Sequence, residues 1–386
     1  MSIRCADVLF LWLILIAIPT RGSTQPTLGG SVEVGARFFP SEGLSAPQGQ
    51  FFPVFQGTLQ TARGSEHHRW RFNLFGRADV RDRRSSHADV REATWAWLPN
   101  QTWEMRGGIL AEKWSFTESN AVVNVVNQRD QLEAPNGDAR LGQPGVSLAI
   151  RLPAGRLTVY SLPWHRSWRF AGAPGRFRPP TELDRPETAR GTAAYAARWD
   201  VRARRIEIGL SYFEGVSRDP AIETAGAAYR VIYPVVHHTG AQLQLLMGPS
   251  LLKLDIAHVK PREKASFIGF TLGGEWPLTL GAADLTVLAE FTYDQRGVQA
   301  PTGLDRDLLL AARWNPNNAA GTEATASTMI DVRSGAQMLR AKFSRRLSAT
   351  WRWTAEAHVL ARQRRGDFSY WLRRDSFVQV AIARFF

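Results

Sequence analysis

The residues of this chain that could do chemistry are mostly charged, and they recur at every second position. Arg71, Arg77 and Asp79 are interleaved with Trp70, Phe72, Leu74, Ala78 and Val80, and Glu104 and Arg106 with Trp103 and Met105. Glu207 lies between Ile206 and Ile208, Lys253 and Asp255 among Leu252, Leu254 and Ile256, and Glu290 between Ala289 and Phe291. Arg352 and Glu356 alternate with Trp351, Trp353, Ala355 and Ala357, while Arg198, Arg340 and Lys342 keep the same phase in their own segments. Period-two alternation puts charge on one face of a β-strand and apolar side chains on the other. If the charged faces share an interior, roughly eight basic and about six acidic groups line it, enough to hold water and focus a field on a solute. The small basic excess points to polar or anionic solutes. The same charges could instead pair between neighbouring strands and only stiffen the wall.

Catalytic and metal chemistry find little support. His67-His68 and His237-His238 are adjacent pairs, and neighbours on a strand point to opposite faces. His258 and His358 have no recognisable Ser-plus-acid pattern beside them. There is no Gly-x-Ser-x-Gly elbow, no His-Glu-x-x-His and no Gly-rich phosphate loop, so no catalytic residue, metal or cofactor is expected. Arginine clusters at 81, 83 and 84, at 166 and 169, at 176 and 178, and at 364, 365, 373 and 374 suit phosphate groups.

The elements that position these residues are short strands. The alternating segments are about ten residues long, charged along the polar face and aromatic near the ends, as in a membrane barrel rather than a soluble sandwich. Tight turns at Pro99-Asn100, Pro153-Ala154-Gly155, Gly248-Pro249-Ser250, Trp276 to Gly281, Asn315 to Gly321 and Leu347-Ser348 alternate with longer loops at 39–49, 112–143, 163–191, 214–238, 295–305 and 362–374. The expectation is an all-β fold: a transmembrane antiparallel up-and-down β-barrel of about 18 strands (16–18), from about Gly29 to Phe386. No stretch approaches 18 continuous apolar residues, so helical spans are not expected. Met1 to about Thr24 reads as a secretory signal peptide, with Arg4 ahead of an apolar run from Val8 to Pro19; an uncleaved anchor helix is the alternative. Residues 25–386 then form a single barrel domain. The one cysteine, Cys5, would leave with the signal, which excludes disulfides and Cys-ligated metals. Of 386 residues, 48 are Lys or Arg and 35 Asp or Glu, a formal charge of +13; the secretory route disfavours nucleic acid as the partner.

Two stretches carry a family resemblance. Ser376 to Phe386 alternates Val378, Val380, Ile382 and Phe386 against Gln379, Ala381 and Ala383, and it resembles the last strand of Gram-negative outer-membrane β-barrels, which typically end in Phe. Arg384 departs from that pattern, which usually has an apolar residue there. The second stretch, Glu112 to Pro144, contains Lys113-Trp114-Ser115-Phe116-Thr117-Glu118 and then Asn127-Gln128-Arg129-Asp130. It resembles a large family of porin-like barrels with a Trp…Asn-x-x-Asp element in the third external loop, although Gln128 replaces a more usual Pro. The resemblance implies that loop 112–143 folds inward and narrows the channel, with Trp114, Glu118, Asn127, Arg129 and Asp130 as its constriction residues. Val122, Val125 and Val126 follow helix spacing, with Thr117 or Ser115 as a cap, and need an apolar surface to pack on. The alternative is a loop packed on itself above the barrel. The resemblance further implies passive diffusion of small polar or anionic solutes, lipopolysaccharide at the outer rim, and the barrel-assembly machinery reading Phe386. A barrel-embedded lipid hydrolase and a structural or export partner of a periplasmic complex are the other readings. Monomeric and trimeric barrels share this alternation, so oligomeric state is not encoded in it.

Overall fold

The computed structural model describes residues 27–44, 48–133, 139–178, 193–225, 228–300, 302–365 and 368–386. The signal peptide expected over 1–24 lies outside the described residues. Nine strands form the first half of a barrel: β1 (Thr27–Phe38), β2 (Phe51–Gly64), β3 (His68–Asp79), β4 (His87–Trp97), β5 (Trp103–Leu110), β6 (Gln143–Leu152), β7 (Gly155–Leu162), β8 (Ala194–Ala203) and β9 (Ile206–Val216). A small separate hairpin follows, β10 (Ala221–Ala225) with β11 (Ala228–Ile232). The second half comprises β12 (Val235–Met247), β13 (Ser250–Pro261), β14 (Phe267–Leu280), β15 (Ala283–Asp294), β16 (Arg306–Asn315), β17 (Glu323–Asp331), β18 (Gln337–Arg346), β19 (Trp351–Ala361) and β20 (Phe377–Phe385). The eighteen barrel strands pair antiparallel in chain order, with β12 following β9. β20 then returns to β1, from Ser31 opposite Phe385 to Phe38 opposite Val378.

This closure follows from the last residues of the chain. The amide of Gly30 donates to the Phe386 carbonyl at 3.0 Å, and the Phe386 amide donates to the Gly30 carbonyl at 3.1 Å. The Phe386 ring lies over Gly30 so closely that a Cβ there would stand 2.7 Å from Cζ. Glycine thus leaves the space that the terminal ring fills, and the barrel sheet closes without an edge. Arg384 points outward at the same end, with its guanidinium 5.9 Å from the Trp351 ring.

The apolar phase of each strand faces out. Val146, Leu210, Leu272, Leu310, Leu339 and Val380 all remain exposed, an exterior suited to hydrocarbon rather than water. Trp70, Trp97, Trp103, Trp199, Trp276, Trp314 and Trp351 are also exposed, and all lie near the short-turn end. Amphipathic indoles belong at a headgroup boundary, so this girdle marks one membrane interface.

Two details differ from the sequence expectation. The turn expected at Trp276 to Gly281 is tighter: β14 continues through Pro277 to Leu280. There β14 outruns β13, whose pairing with it stops at Leu251–Glu275, so Pro277 sits on a local edge that tolerates a missing N–H. The loop expected over 214–238 shrinks to 217–234, because β9 and β12 extend into it and it holds the β10–β11 hairpin.

Candidate functional site: a loop folded into the barrel

The segment between β5 and β6 enters the barrel and packs on the inner face of β7 to β15. Its Trp114, Val123 and Val126 are buried in one cluster with Tyr160, Leu162, Ala194, Ala196, Phe213, Val236 and Ala257 from the wall. Small wall residues make the room. A Cβ on Gly240 would come within 3.1 Å of Val123 Cγ1, and one on Gly269 within 3.7 Å of Val122. Burying two valines and a tryptophan is worth several kcal/mol at about 1.5–3 kcal/mol per large side chain.

Polar anchors fix the path. Asp255 accepts hydrogen bonds from the Ser115 hydroxyl at 2.5 Å, the Thr117 hydroxyl at 2.7 Å, and the amides of Phe116 and Thr117 at 3.3 Å each. Glu290 accepts from the amides of Glu118 at 3.0 Å and Ser119 at 2.7 Å. The Thr271 hydroxyl donates to the Asn120 carbonyl at 2.9 Å, and Arg198 Nη1 to the Trp114 carbonyl at 3.2 Å. Within the segment, Asn124 Oδ1 accepts from the amides of Trp114 and Ser115 at 2.6 and 2.9 Å. The helix expected around Val122, Val125 and Val126 is absent: Val122 lies in a turn, Val126 in a bend and Val125 in irregular chain. The wall carboxylates and Asn124 take the amides of residues 114–119, and His238 contacts the Val122 carbonyl at 3.0 Å, so the backbone is satisfied without helical bonding.

The Asn-x-x-Asp element is a staple. Asn127 is buried, donating Nδ2 to the carbonyls of Leu110 and Leu141 at 2.8 and 2.9 Å while its Oδ1 accepts the Glu112 amide at 2.8 Å. This pins both ends of the loop together. Asp130 meets His87 at 3.0 Å and Arg91 at 2.6 Å. Burial would raise its carboxyl, but the hydrogen bond and charge of His87, with Arg91, outweigh that and hold it well below the usual range. Arg91 reaches inward because the β3–β4 register shifts between Asn73 and Leu74, leaving Arg91 as an extra residue on β4. Strict alternation would turn it outward, so sequence reasoning passed over it, as it did His87.

The fourteen residues expected to line the interior all lie on inward phases, but they divide into two groups. Arg77, Asp79, Arg198, Lys253, Asp255 and Glu290 are buried. Asp255, Glu290 and Arg198 hold the loop; Lys253 pairs with Glu275, and Arg77 lies 3.5 Å from Asp79. The others keep solvent contact. Arg106 bridges Glu112 at 2.6 Å and Glu104 at 3.4 Å, Glu207 pairs with Arg202 at 2.8 Å, and Arg340 with Glu356 at 3.0 Å. Arg71 and Lys342 are exposed and Arg352 half-buried. Of the loop residues, Trp114, Asn127 and Asp130 are buried anchors, Arg129 lies 3.6 Å from Asp219, and Glu118 pairs with Arg313 across the edge of the loop.

A second segment, 163–178, crosses the long-loop end. It leaves β7 and passes over the inward loop, where Trp168 Nε1 donates to Gln128 Oε1 at 2.7 Å and Gln128 Nε2 to the Arg166 carbonyl at 2.8 Å. It then reaches strand ends about a third of the circumference away. Asp82, between β3 and β4, accepts the Gly172 amide at 2.7 Å. Arg176 Nε donates to Asp375, just before β20, at 2.7 Å; its Nη1 donates to the carbonyls of Ser41 and Gly49 at 3.2 Å, and its Nη2 to that of Arg374. One arginine therefore ties three loops together over the mouth. Near the start of the segment His165 packs 4.6 Å from the Tyr233 ring; burial, aided by the charge of Arg218, pushes it down to about 4.

No protein-family model and no curated protein matches the chain. Its fold is similar to that of several solved structures. Wzi of Escherichia coli, described as an outer-membrane protein involved in group 1 capsule assembly and a carbohydrate-binding β-barrel, aligns at a TM-score of 0.56 and 8% identity over 93% of this chain and 84% of its own. OpdO of Pseudomonas aeruginosa aligns at 0.54 and 11% identity over 95% and 96%. A BenF-like porin from Pseudomonas fluorescens aligns at 0.54 and 10% identity over 94% and 98%. The chain thus shares the architecture of outer-membrane barrels along nearly its whole described length, a likeness of fold.

Proposed function

We propose that this chain is an outer-membrane channel that passes small polar or anionic solutes by passive diffusion. The observation that carries this reading is the loop between β5 and β6, folded inside a closed eighteen-stranded barrel and leaving β17 to β20, β1, β2 and the short-turn ends of β3 to β5 as an uncovered, charged wall. Barrels of 16–18 strands leave an aqueous channel, and passage then depends on width and lining charge. The apolar belt and tryptophan girdle support the membrane setting. On this reading arginines on the long-loop side meet lipopolysaccharide phosphates, and the barrel-assembly machinery reads Phe386. The test is in planar bilayers, where the purified protein is expected to give discrete conductance steps, with a reversal potential in a salt gradient that favours the anion. A barrel silent there and unable to swell liposomes with any small solute would overturn the proposal.

The segment across the mouth favours a second reading, a closed barrel that binds or assembles rather than conducts. Oligosaccharide binding by a protein that stays silent after the mouth segment is released would select it. A lipid hydrolase gains no support: His258 faces outward, and His358 is engaged by Glu356 and stacked 4.5 Å from Phe377. Neither meets a serine hydroxyl among the described residues. Lipid turnover that falls in His358→Ala would reverse that judgement.

A further inference from the structure

A cavity of about 30 Å³ lies at the long-loop end, lined by Arg37, Phe39, Arg77, Asp79, Arg176 and Phe177 among others. Three guanidinium groups border it, and their partners differ. Arg176 is fully engaged by Asp375 and three carbonyls. Arg37, on β1, places Nε and Nη2 on Gln379 Oε1 at 3.0 and 2.8 Å and lies 4.3 Å from the Phe377 ring. No carboxylate stands within ion-pair distance of it among the described residues. Arg77, on β3, is 7% exposed, and among the described residues its one ionic partner is Asp79, at 3.5 Å. Asp79 Oδ1 already accepts the amides of Arg81 and Asp82 at 3.0 Å each. Nε and Nη1 of Arg77 are buried with no hydrogen-bond partner.

Buried donors without acceptors are rare, and Arg37 and Arg77 share this small space with one carboxylate, Asp79, so one positive charge is left over. An anion between them supplies both the missing acceptors and the missing charge. The volume limits it. A water-sized occupant needs about 10–15 Å³ on this measure, so the cavity takes a head of two or three heavy atoms. Guanidinium forks match the two oxygens of a carboxylate. The ring of Phe39, held against Phe52 and Phe177 at 5.5 and 5.8 Å, gives the cavity an apolar side.

We propose that Arg37 and Arg77 bind the carboxylate of a small organic acid in this cavity. The site does not rest on the channel reading, because binding is measured without conduction. Detergent-solubilised protein is titrated with acetate at low ionic strength by calorimetry, with heat-modifiable gel migration as the check on folding. The wild type binds saturably. Arg77→Gln and, separately, Arg37→Gln weaken binding at least about tenfold, the loss expected for charge-assisted hydrogen bonds. Arg204→Gln, on a short turn at the opposite end, binds as the wild type. Non-saturable binding, equal affinity in folded Arg77→Gln and Arg37→Gln, or bromide bound more tightly than acetate would overturn the assignment. A barrel silent in bilayers that still binds acetate through both arginines refutes the channel and keeps the site.

Discussion

Replacing Arg176 with methionine is expected to release the segment that crosses the mouth. Methionine can keep the contact with Phe39, over whose ring the guanidinium now lies at 4.3 Å, but it donates nothing. The carbonyls of Ser41, Gly49 and Arg374 lose a donor, and Asp375 keeps the Phe177 amide at 3.0 Å. The side chains of the pair are 2% and 6% exposed, so the orphaned carboxylate stays away from water while the segment remains closed. Burial already raises the Asp375 carboxyl against the pull of Arg176, so charge there is held at a cost even with the partner present. Removing one member of a buried pair typically costs about 3–5 kcal/mol. At about 1.4 kcal/mol per tenfold, the closed state loses roughly two to three and a half orders of magnitude in population.

The assay is amide hydrogen exchange over 166–178, run beside single-channel conductance. Exchange accelerates and mean conductance rises in Arg176→Met. The double variant Arg176→Met with Asp375→Asn recovers most of the protection, because a neutral amide can be buried without a counter-charge. Wild-type exchange in the single variant would show that Asp82 and Trp168 hold the segment alone. A double variant as open as the single would show that the lost carbonyl contacts matter, and the buried charge does not.

The other expectations concern the loop, the mouth and the wall. Asp255→Ala strips an acceptor from two hydroxyls and two amides of the inward loop; about 2–4 kcal/mol of anchoring should be lost, with faster exchange over 115–119 and larger, noisier conductance. Unchanged conductance would mean that Glu290 and the valine cluster suffice. His165 is held neutral by burial, so its folded value lies below the usual 6.5, and the stability it supplies is full above that value and lost as pH falls toward about 4. By pH 5 the loss is on the order of 1–2 kcal/mol allowing for partial exposure, seen as faster exchange around 163–168 and absent in His165→Leu. Leu254→Arg, on the outward face, should cost about 2–4 kcal/mol in lipid, whereas Lys342→Leu on the exposed inner face should be nearly neutral. Lys253→Leu is not the mild control that its phase alone suggests, because Lys253 is buried against Glu275.

How far the sequence reached depends on whether a feature is local. Strand phase is local: Ile206 to Tyr212 and Leu285 to Tyr293 show it without any partner, and the inward and outward sets follow. Closure was also legible, since an apolar final strand ending in Phe386 needs a first strand, and Gly30 supplies its seat. Arg91 was not legible, because one extra residue in β4 reverses the phase and nothing in the local composition announces it. Arg176 was visible only as one of many loop arginines. Its partners Ser41, Gly49, Arg374 and Asp375 are far away in sequence, and only the folded mouth brings them together.

The inward loop falls between these cases. Alternation assigns Asp255 and Glu290 to the interior, yet it cannot say whether water or protein meets them there. A signal was present in combination: inward positions from β7 to β13 carry Tyr160, Ala194, Ala196, Phe213, Gly240 and Ala257 where other strands carry charge, beside a loop holding Val122, Val123, Val125 and Val126. An apolar patch on the wall and an apolar loop require each other. This changes the electrostatics of the gap. Burial removes Arg77, Arg198 and Lys253 and also Asp79, Asp255 and Glu290 from the charges that water can reach. Arg71, Arg106, Arg340, Lys342 and Arg352 then face only Glu104, Glu207 and Glu356 from the same set, and Glu207 already pairs with Arg202 at the short-turn end. The basic excess is unchanged in size, but it stands over fewer charges and on one side of the barrel. Glu33 on β1 and Glu92 on β4 face the same gap and add acidic charge to that wall, so on the proposed channel reading a passing solute meets charges of both signs on one side of its path, and the reversal potential in a salt gradient measures which sign prevails.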